Sequence, residues 1–462
     1  MRMLFVVVDK KMNKNLMPMG EAYLASYLRQ FGHEIEIYCQ DVYHFSEQHL
    51  FEYLEKTDFD IVGMGFISSY FRKALKISEA VNKLSKRPFF VLGAHGPTAT
   101  PAYMLRRMGA DAVVMGEAEL ILKDLLETLA GNGDLGSVKG IVFRQDDEIV
   151  TTPARELFRD LDSLPFPAWD LLPMEHYIAA QWPPAGGSDR SASVFASRGC
   201  PYKCNFCFRI DPRWRARSIP NVLAEVEALI DRYYVNYFHF DDELFAPGRK
   251  RMLEFCKAIL DRGLRIKWDC QGHFKSLDRE VIEAMKEAGC EFINVGVESY
   301  DQSVLDAMHK GTTREEIRAG LSLMKEFGIH AGLNVLWGNL KDSAHSLKET
   351  LNLVREFDSN FQCRTFRPPS PYPGSPLFHY AVRNGMLKDE HDFYERYQGY
   401  DRVTVNFTDI PEDDFYRMLF DANNTLVNAF FEAKKKQILD GLSSAYFGGA
   451  TDFRLLSLQE QL

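Results

Sequence analysis

Three cysteines, Cys200, Cys204 and Cys207, fall within eight positions in the stretch SRGCPYKCNFCF. A thiolate is a soft metal ligand, so clustered thiols point to a metal. Structural zinc takes four Cys or His ligands, whereas the spacing here is C-x3-C-x2-C and no second pair follows. A [4Fe–4S] cluster also takes four thiolates. With only three, one iron stays open to another ligand, and the missing cysteine acquires a use. Cys39, Cys256, Cys270, Cys290 and Cys363 are scattered among apolar residues and read as small buried hydrophobes. Carboxylates form a second set: Asp241, Asp242 and Glu243 in FHFDDELF, and Glu298 at the end of NVGVES. A carboxylate at a strand's carboxyl end can accept hydroxyl protons or pair with an ammonium. The plainer alternatives are a solvated acidic turn for Asp241–Glu243 and a salt bridge for Glu298.

The elements that must position these groups alternate between strand and helix. Over residues 1–145, MLFVVV, HEIEIYC, FDIVGMGF, PFFVLGAHG and ADAVVMG read as strands. GEAYLASYLRQFG between the first two reads as a helix with Tyr23, Leu24, Tyr27 and Leu28 on one face and Gly32 as its stop. Repeated β-α-β units predict an α/β, doubly wound Rossmann-like sheet with ligands at the strands' carboxyl ends. Residues 146–190 are rich in Pro, Gly and Asp and read as a linker. From 191 to 384, six strand candidates alternate with helices: SVFASRG, NYFHFDD, IKWDCQG, FINVGVES, HAGLNVLWG and RTFRPPS. They predict a partial (β/α)6 TIM-like barrel with the cysteines just after its first strand. Residues 385–462 read as mostly helical. The 462 residues carry a net charge of -10 and no long basic run, which disfavours a nucleic-acid partner. No window approaches the roughly 18 apolar residues of a membrane span. The opening apolar run of five is shorter than a signal-peptide core. Both observations point to the cytoplasm.

The cysteine spacing, its place after a barrel strand and the aromatic Phe206 and Phe208 flanking Cys207 resemble the radical S-adenosylmethionine (radical SAM) superfamily. MPMGEAYLASYLRQFGHEIEI, LGAHGPTATP, ADAVVMGEAE, GVESYDQSVLDAMHKGTT and PPSPYPGSPLF resemble its branch with an N-terminal cobalamin (B12)-binding-type domain. The resemblance implies that the open iron binds S-adenosylmethionine and that an electron cleaves it to methionine and a 5′-deoxyadenosyl radical. It implies an electron donor such as flavodoxin or ferredoxin and a small-molecule substrate. It makes Glu298 the ligand of the ribose hydroxyls. It places Asp241, Asp242 and Glu243 where the family meets the methionine amino group or the substrate. The chain departs from the pattern at WGNLKDS, residues 337–343, where relatives often read G-L-P-G-E.

Cobalamin domains that ligate cobalt with histidine carry D-x-H-x-x-G after the first strand. Here Asp9 is followed by no histidine before Gly20, so coordination through this loop is excluded, as is common in the radical branch. Gly93 and His95 lie in the loop matching G-G-x-H-x-T, with Ala94 in place of a glycine. His95 reads as a loop-shaping residue rather than a cobalt ligand. Ser68 and Ser69 stand where related domains touch the nucleotide tail or the corrin, or else cap the helix that follows. Lys10, Lys11 and Lys14 could meet a phosphate, and Met12, Met17 and Met19 could line an apolar slot. The implied activity is cobalamin-dependent methylation of unactivated carbon. The alternative is cobalamin-independent dehydration, cyclisation or rearrangement, such as diol dehydration of an aminoglycoside-like substrate, for which the acidic Asp241–Glu243 would suit hydroxyls or amines.

Overall fold

The computed structural model describes residues 1–9, 16–179, 189–358 and 362–447. Lys10, Lys11, Met12, Lys14 and the end of the tail lie outside them. The first sheet contains β1 (Arg2–Val7), β2 (Glu34–Cys39), β3 (Ile61–Gly65), β4 (Phe89–Gly93), β5 (Ala112–Val114), β6 (Ile141–Gln145) and β7 (Glu148–Thr151). Its order is β2-β1-β3-β4-β5-β6-β7. The first five strands pair in parallel, and β6 and β7 add an antiparallel hairpin. This sheet therefore runs past residue 145, to Thr151. Its central strands are apolar and buried because helices cover both faces. The helix Met19–Arg29 buries Tyr23, Tyr27 and Leu28 and is followed by Gly32 at φ 77°. The strand order reverses between β1 and β3, which opens a crevice at their carboxyl ends.

The second sheet contains β8 (Ser191–Val194), β11 (Tyr237–Phe240), β12 (Lys267–Gly272), β13 (Cys290–Glu298) and β14 (His330–Val335), all parallel. A small ribbon, β9 (Ser197–Arg198) with β10 (Arg215–Ala216), stands above β8. Phe238, Phe240, Trp268, Cys270, Ile293 and Val295 pack outward into a core under the helices. The alternate residues of these strands face the barrel lumen. The sixth expected strand, RTFRPPS, reduces to a single parallel bridge, Leu336 to Arg367. Pro368 and Pro369 follow immediately, and neither has an N–H to extend the ladder. The tail contributes the helices Pro376–Arg383, Glu390–Arg396 and Glu412–Phe447.

Candidate active site

The cysteine loop leaves the barrel through a backbone position that only glycine fits. Gly199 has φ 81°, and a Cβ there would sit 2.1 Å from the Arg213 carbonyl oxygen. Cys204 is buried, Cys200 half-buried and Cys207 exposed. Among the described residues no three Cys, His, Asp or Glu side chains converge as one metal ion would need.

Asn205 pins the middle of the loop. Its amide exchanges two hydrogen bonds with the Asn339 amide, at 3.1 and 3.0 Å, and donates to the Ala307 carbonyl at 3.1 Å. Asn339 belongs to WGNLKDS, so the departure from the family pattern supplies the loop's anchor. Tyr202 stacks on His273 with ring centroids 3.8 Å apart. Burial and the nearby Lys310 push His273 down to about 3, so its imidazole is neutral.

Glu298 ends β13 at a bulge, with φ 58°, a conformation that favours glycine. Its carboxylate lies 2.9 Å from Lys310 Nζ, and both residues are more than nine-tenths buried. Gly296 makes room, since a Cβ there would fall 2.2 Å from Glu298 Oε1 and 2.3 Å from Lys310 Nζ. Burial alone would lower the Lys310 pKa, but the Glu298 carboxylate outweighs it and the pKa rises. Burial also raises the Cys200 and Cys204 thiols, and Lys310 acts on both in the opposite direction.

The three acidic residues after β11 diverge. Asp242 is buried; it accepts from Ser197 Oγ at 2.7 Å, the Ala196 N–H at 3.3 Å and the Ser197 N–H. Burial pushes it up to about 7 despite these donors. It shapes the turn before the cysteines, which is neither a solvated position nor an open ligand. Asp241 accepts from Ser193 Oγ at 2.5 Å. Glu243 is exposed and lies 3.5 Å from His95 Nε2. His95 meets Phe208 edge-on at 6.2 Å, and Phe208 packs where a Cβ on Gly374 would lie 2.6 Å away. Phe206 packs into the aromatic cluster formed with the tail helices. Ala94 adopts φ 66° and ψ -170°, where glycine is favoured, at a cost of about 1–3 kcal/mol.

A cavity of about 580 Å³ joins the two sheets. Its walls are the carboxyl ends of β1, β3 and β4, one face of the helix Met19–Arg29 and the loop Gly116–Glu119. The barrel adds Phe195, Ser197–Gly199 and Asp241–Glu243. Gly20, Gly93 and Gly116 line it with little or nothing near their absent Cβ atoms, so a flat ligand can approach the backbone closely. Partly buried charges fix the two walls together. Arg198, two residues before Cys200, pairs with Glu119 at 2.5 Å and Glu117 at 3.3 Å, and Arg215 pairs with Glu117 at 2.5 Å.

Residues 194–354 match the radical SAM superfamily model and residues 6–126 the B12 binding domain model. An uncharacterized methyltransferase of Pyrococcus horikoshii is 30% identical over 374 residues, covering 80% of this chain and 79% of the relative. The chain belongs to the radical SAM superfamily, in the branch that carries a B12-binding domain. An anaerobic magnesium-protoporphyrin IX monomethyl ester cyclase of Rubrivivax gelatinosus is 28% identical, covering 79% of this chain and 66% of that protein. The radical SAM methyltransferase TsrM of Kitasatospora setae, solved with cobalamin and a [4Fe–4S] cluster, has the same fold. Its TM-score is 0.71 at 17% identity, covering 83% of this chain and 75% of that one.

In this radical SAM chain the two serines of the first domain lie elsewhere than expected. Ser68 accepts from the Tyr394 hydroxyl at 3.2 Å and Ser69 from the Tyr400 hydroxyl at 2.5 Å. Their neighbours Ile67 and Tyr70 take the cavity wall instead. The tail claims both hydroxyls, one from the helix Glu390–Arg396 and one from the turn after it, more than 300 residues away in sequence. Neither serine caps a helix through its side chain. His44 also lies off the cavity, 3.1 Å from Asp9. Lys310, Asn339, Arg198 and Glu119 were not singled out from sequence. The lysine had a signal in HKGTT and the glutamate in MGEAE, but their partners are set by the fold.

Proposed function

We propose that the protein is a cytoplasmic, cobalamin-dependent radical SAM methyltransferase that methylates unactivated carbon of a small molecule. The observation that carries this reading is the glycine-lined, largely apolar cavity, which opens from the switch point of the first sheet onto the backbone just before the cysteines. Cys200, Cys204 and Cys207, spaced C-x3-C-x2-C, would hold a [4Fe–4S] cluster through three thiolates, each on its own iron. When bound, the cluster with S-adenosylmethionine supplies a 5′-deoxyadenosyl radical, and cobalamin supplies a transferable methyl group.

The chain's own residues do the positioning. Glu298 presents a carboxylate for the ribose hydroxyls while Lys310 holds it. Lys310 also favours the thiolate form of the cysteines. Asn205 and Asn339 fix the loop, and the Arg198–Glu119 pair sets the cavity wall against it. His95 is the one histidine on the cavity wall among the described residues, and it faces Glu243. Cobalamin would be held by the apolar wall and the backbone at Gly20, Gly93 and Gly116 rather than through His95. A flavodoxin or ferredoxin would supply the electron.

The test is cobalt content, with the visible spectrum, after anaerobic reconstitution with iron, sulfide and cobalamin. Stoichiometric cobalt is expected, with a spectrum unchanged in His95→Ala. A protein that cleaves S-adenosylmethionine but carries no cobalt would move the assignment to cobalamin-independent dehydration, cyclisation or rearrangement. The similarity to a cyclase supports cyclisation as an alternative reaction class.

A further inference from the structure

The lumen of the barrel holds a cation that the radical chemistry leaves unused. Ile293, Val295, Leu333 and Val335 pack outward, so Asn294 on β13 and Asn334 on β14 face inward. Arg364, from the segment that fails to form a sixth strand, reaches back across this inner face. Its Nη1 donates to Asn334 Oδ1 at 3.2 Å. Its Nη2 donates to Asn294 Oδ1 at 3.2 Å and to Gln362 Oε1 at 2.5 Å. Asn294 is steadied in turn by its bond to Gln271 Oε1 at 2.7 Å. Gly332 vacates the space: a Cβ there would lie 2.7 Å from Arg364 Nη2, 2.5 Å from Asn294 Oδ1 and 2.4 Å from the Phe292 ring. The guanidinium has a seat that any side chain at 332 would fill.

Every acceptor this guanidinium meets is a neutral amide. It makes no ion pair with a carboxylate among the described residues, and its Nε is buried without a partner. Burial works against its charged form, and Asp358 offsets only part of that. A partly desolvated cation held by amides, with the Phe292 ring 5.9 Å away, gains from a counter-charge when one arrives. Carboxylates stand further along the sheet, on β12 beside β13 and after β11, but they are engaged elsewhere: Asp269 bonds the buried His239 imidazole at 2.5 Å, and Asp241 accepts from Ser193. An anion entering the lumen therefore finds its counter-charge at Arg364, between Asn294 and Asn334.

We infer that Arg364, seated by Asn294 and Asn334, anchors an anionic group of the substrate, a carboxylate or a phosphate. This rests on the radical SAM reading, because it says which end of the substrate occupies the barrel. Anchored there, the anion fixes the depth and orientation of the rest of the molecule below the cysteine loop.

The test uses the full-length protein with inorganic phosphate or propionate as probe and thermal unfolding as readout. A ligand of the folded state raises Tm saturably. A rise with phosphate alone marks a phosphate-bearing substrate, and a rise with propionate alone a carboxylate-bearing one. Arg364→Gln should weaken the effective probe about tenfold or more, as loss of charge-assisted hydrogen bonds does. Asn334→Asp guards against misfolding. It is nearly the same shape, and its own carboxylate takes the guanidinium, so Tm without probe should not fall and the probe effect should vanish. No saturable rise with either probe, or a wild-type response in either variant, overturns the inference. The readout needs neither cluster nor S-adenosylmethionine, so it fails independently of 5′-deoxyadenosine formation.

Discussion

Glu298→Gln, alone and with Lys310→Met, separates the two roles assigned to one carboxylate. The carboxylate and the Lys310 ammonium stand 2.9 Å apart and are both buried. Removing one partner of a buried ion pair costs about 3–5 kcal/mol, because the other charge is stranded. Glutamine keeps a carbonyl oxygen for Lys310, so the lower end, about 3 kcal/mol, is expected in urea unfolding. Adding Lys310→Met removes the stranded charge. An apolar replacement for a buried pair is often neutral, so the double variant should recover most of the loss. Affinity for S-adenosylmethionine should behave differently. A lost charged acceptor for the ribose weakens binding by about 1.5–3 kcal/mol, roughly tenfold to a hundredfold in Kd. That loss should persist in the double variant. Equilibrium binding on protein of equal iron content measures it. An unchanged Kd in Glu298→Gln, or affinity that returns with stability in the double variant, would show that Glu298 serves only Lys310.

Replacing Cys200, Cys204 or Cys207 with Ala should abolish 5′-deoxyadenosine formation in anaerobic assays, whereas Cys256→Ala and Cys290→Ala, both in the outward core, should keep full iron content. Product formation by the triple variant would refute the cluster assignment. Asp242 gives a pH dependence of definite sign. Its folded pKa is raised to about 7 by burial, so its contribution to stability is present below about 4 and is lost as pH rises through 7. Asp242→Asn should therefore gain stability relative to wild type as pH goes from 4 to 8, by up to about 4 kcal/mol. Parallel denaturation profiles for the two proteins would contradict it.

The parts legible in the sequence are those in which chemistry and register are local. The cysteine spacing occupies eight positions, and five barrel strands announce themselves by outward apolar residues alternating with inward polar ones. The serines at 68 and 69 show where such reading ends. Their hydroxyls could serve a ligand or cap a helix on local grounds, and the deciding partners, Tyr394 and Tyr400, arrive from the far end of the chain. Lys310 and Asn339 are the same case with a different outcome. Neither residue type marks a site by itself, and each acquires its role only when the fold brings it to Glu298 or Asn205. The sixth strand is cut short for a local reason: Pro368 and Pro369 bar an extended ladder.

The buried charges between the domains constrain how the cavity can work. Arg198 belongs to the ribbon that leads into Cys200, and its partners Glu117 and Glu119 belong to the loop and first turn beneath β5 of the other domain. A second lock stands behind it: the Tyr23 hydroxyl donates to Glu225 at 3.0 Å, and Arg217 bonds both. Separating the domains breaks the partly buried Arg198 pairs and takes the Tyr23 hydroxyl from the buried Arg217–Glu225 pair, each at a cost in stability. A ligand in the cavity therefore meets the cysteine loop at a spacing set by the fold before it binds. His95 and Glu243, which also face each other across the two domains on the cavity wall, make only a half-exposed contact at 3.5 Å and add little to this constraint.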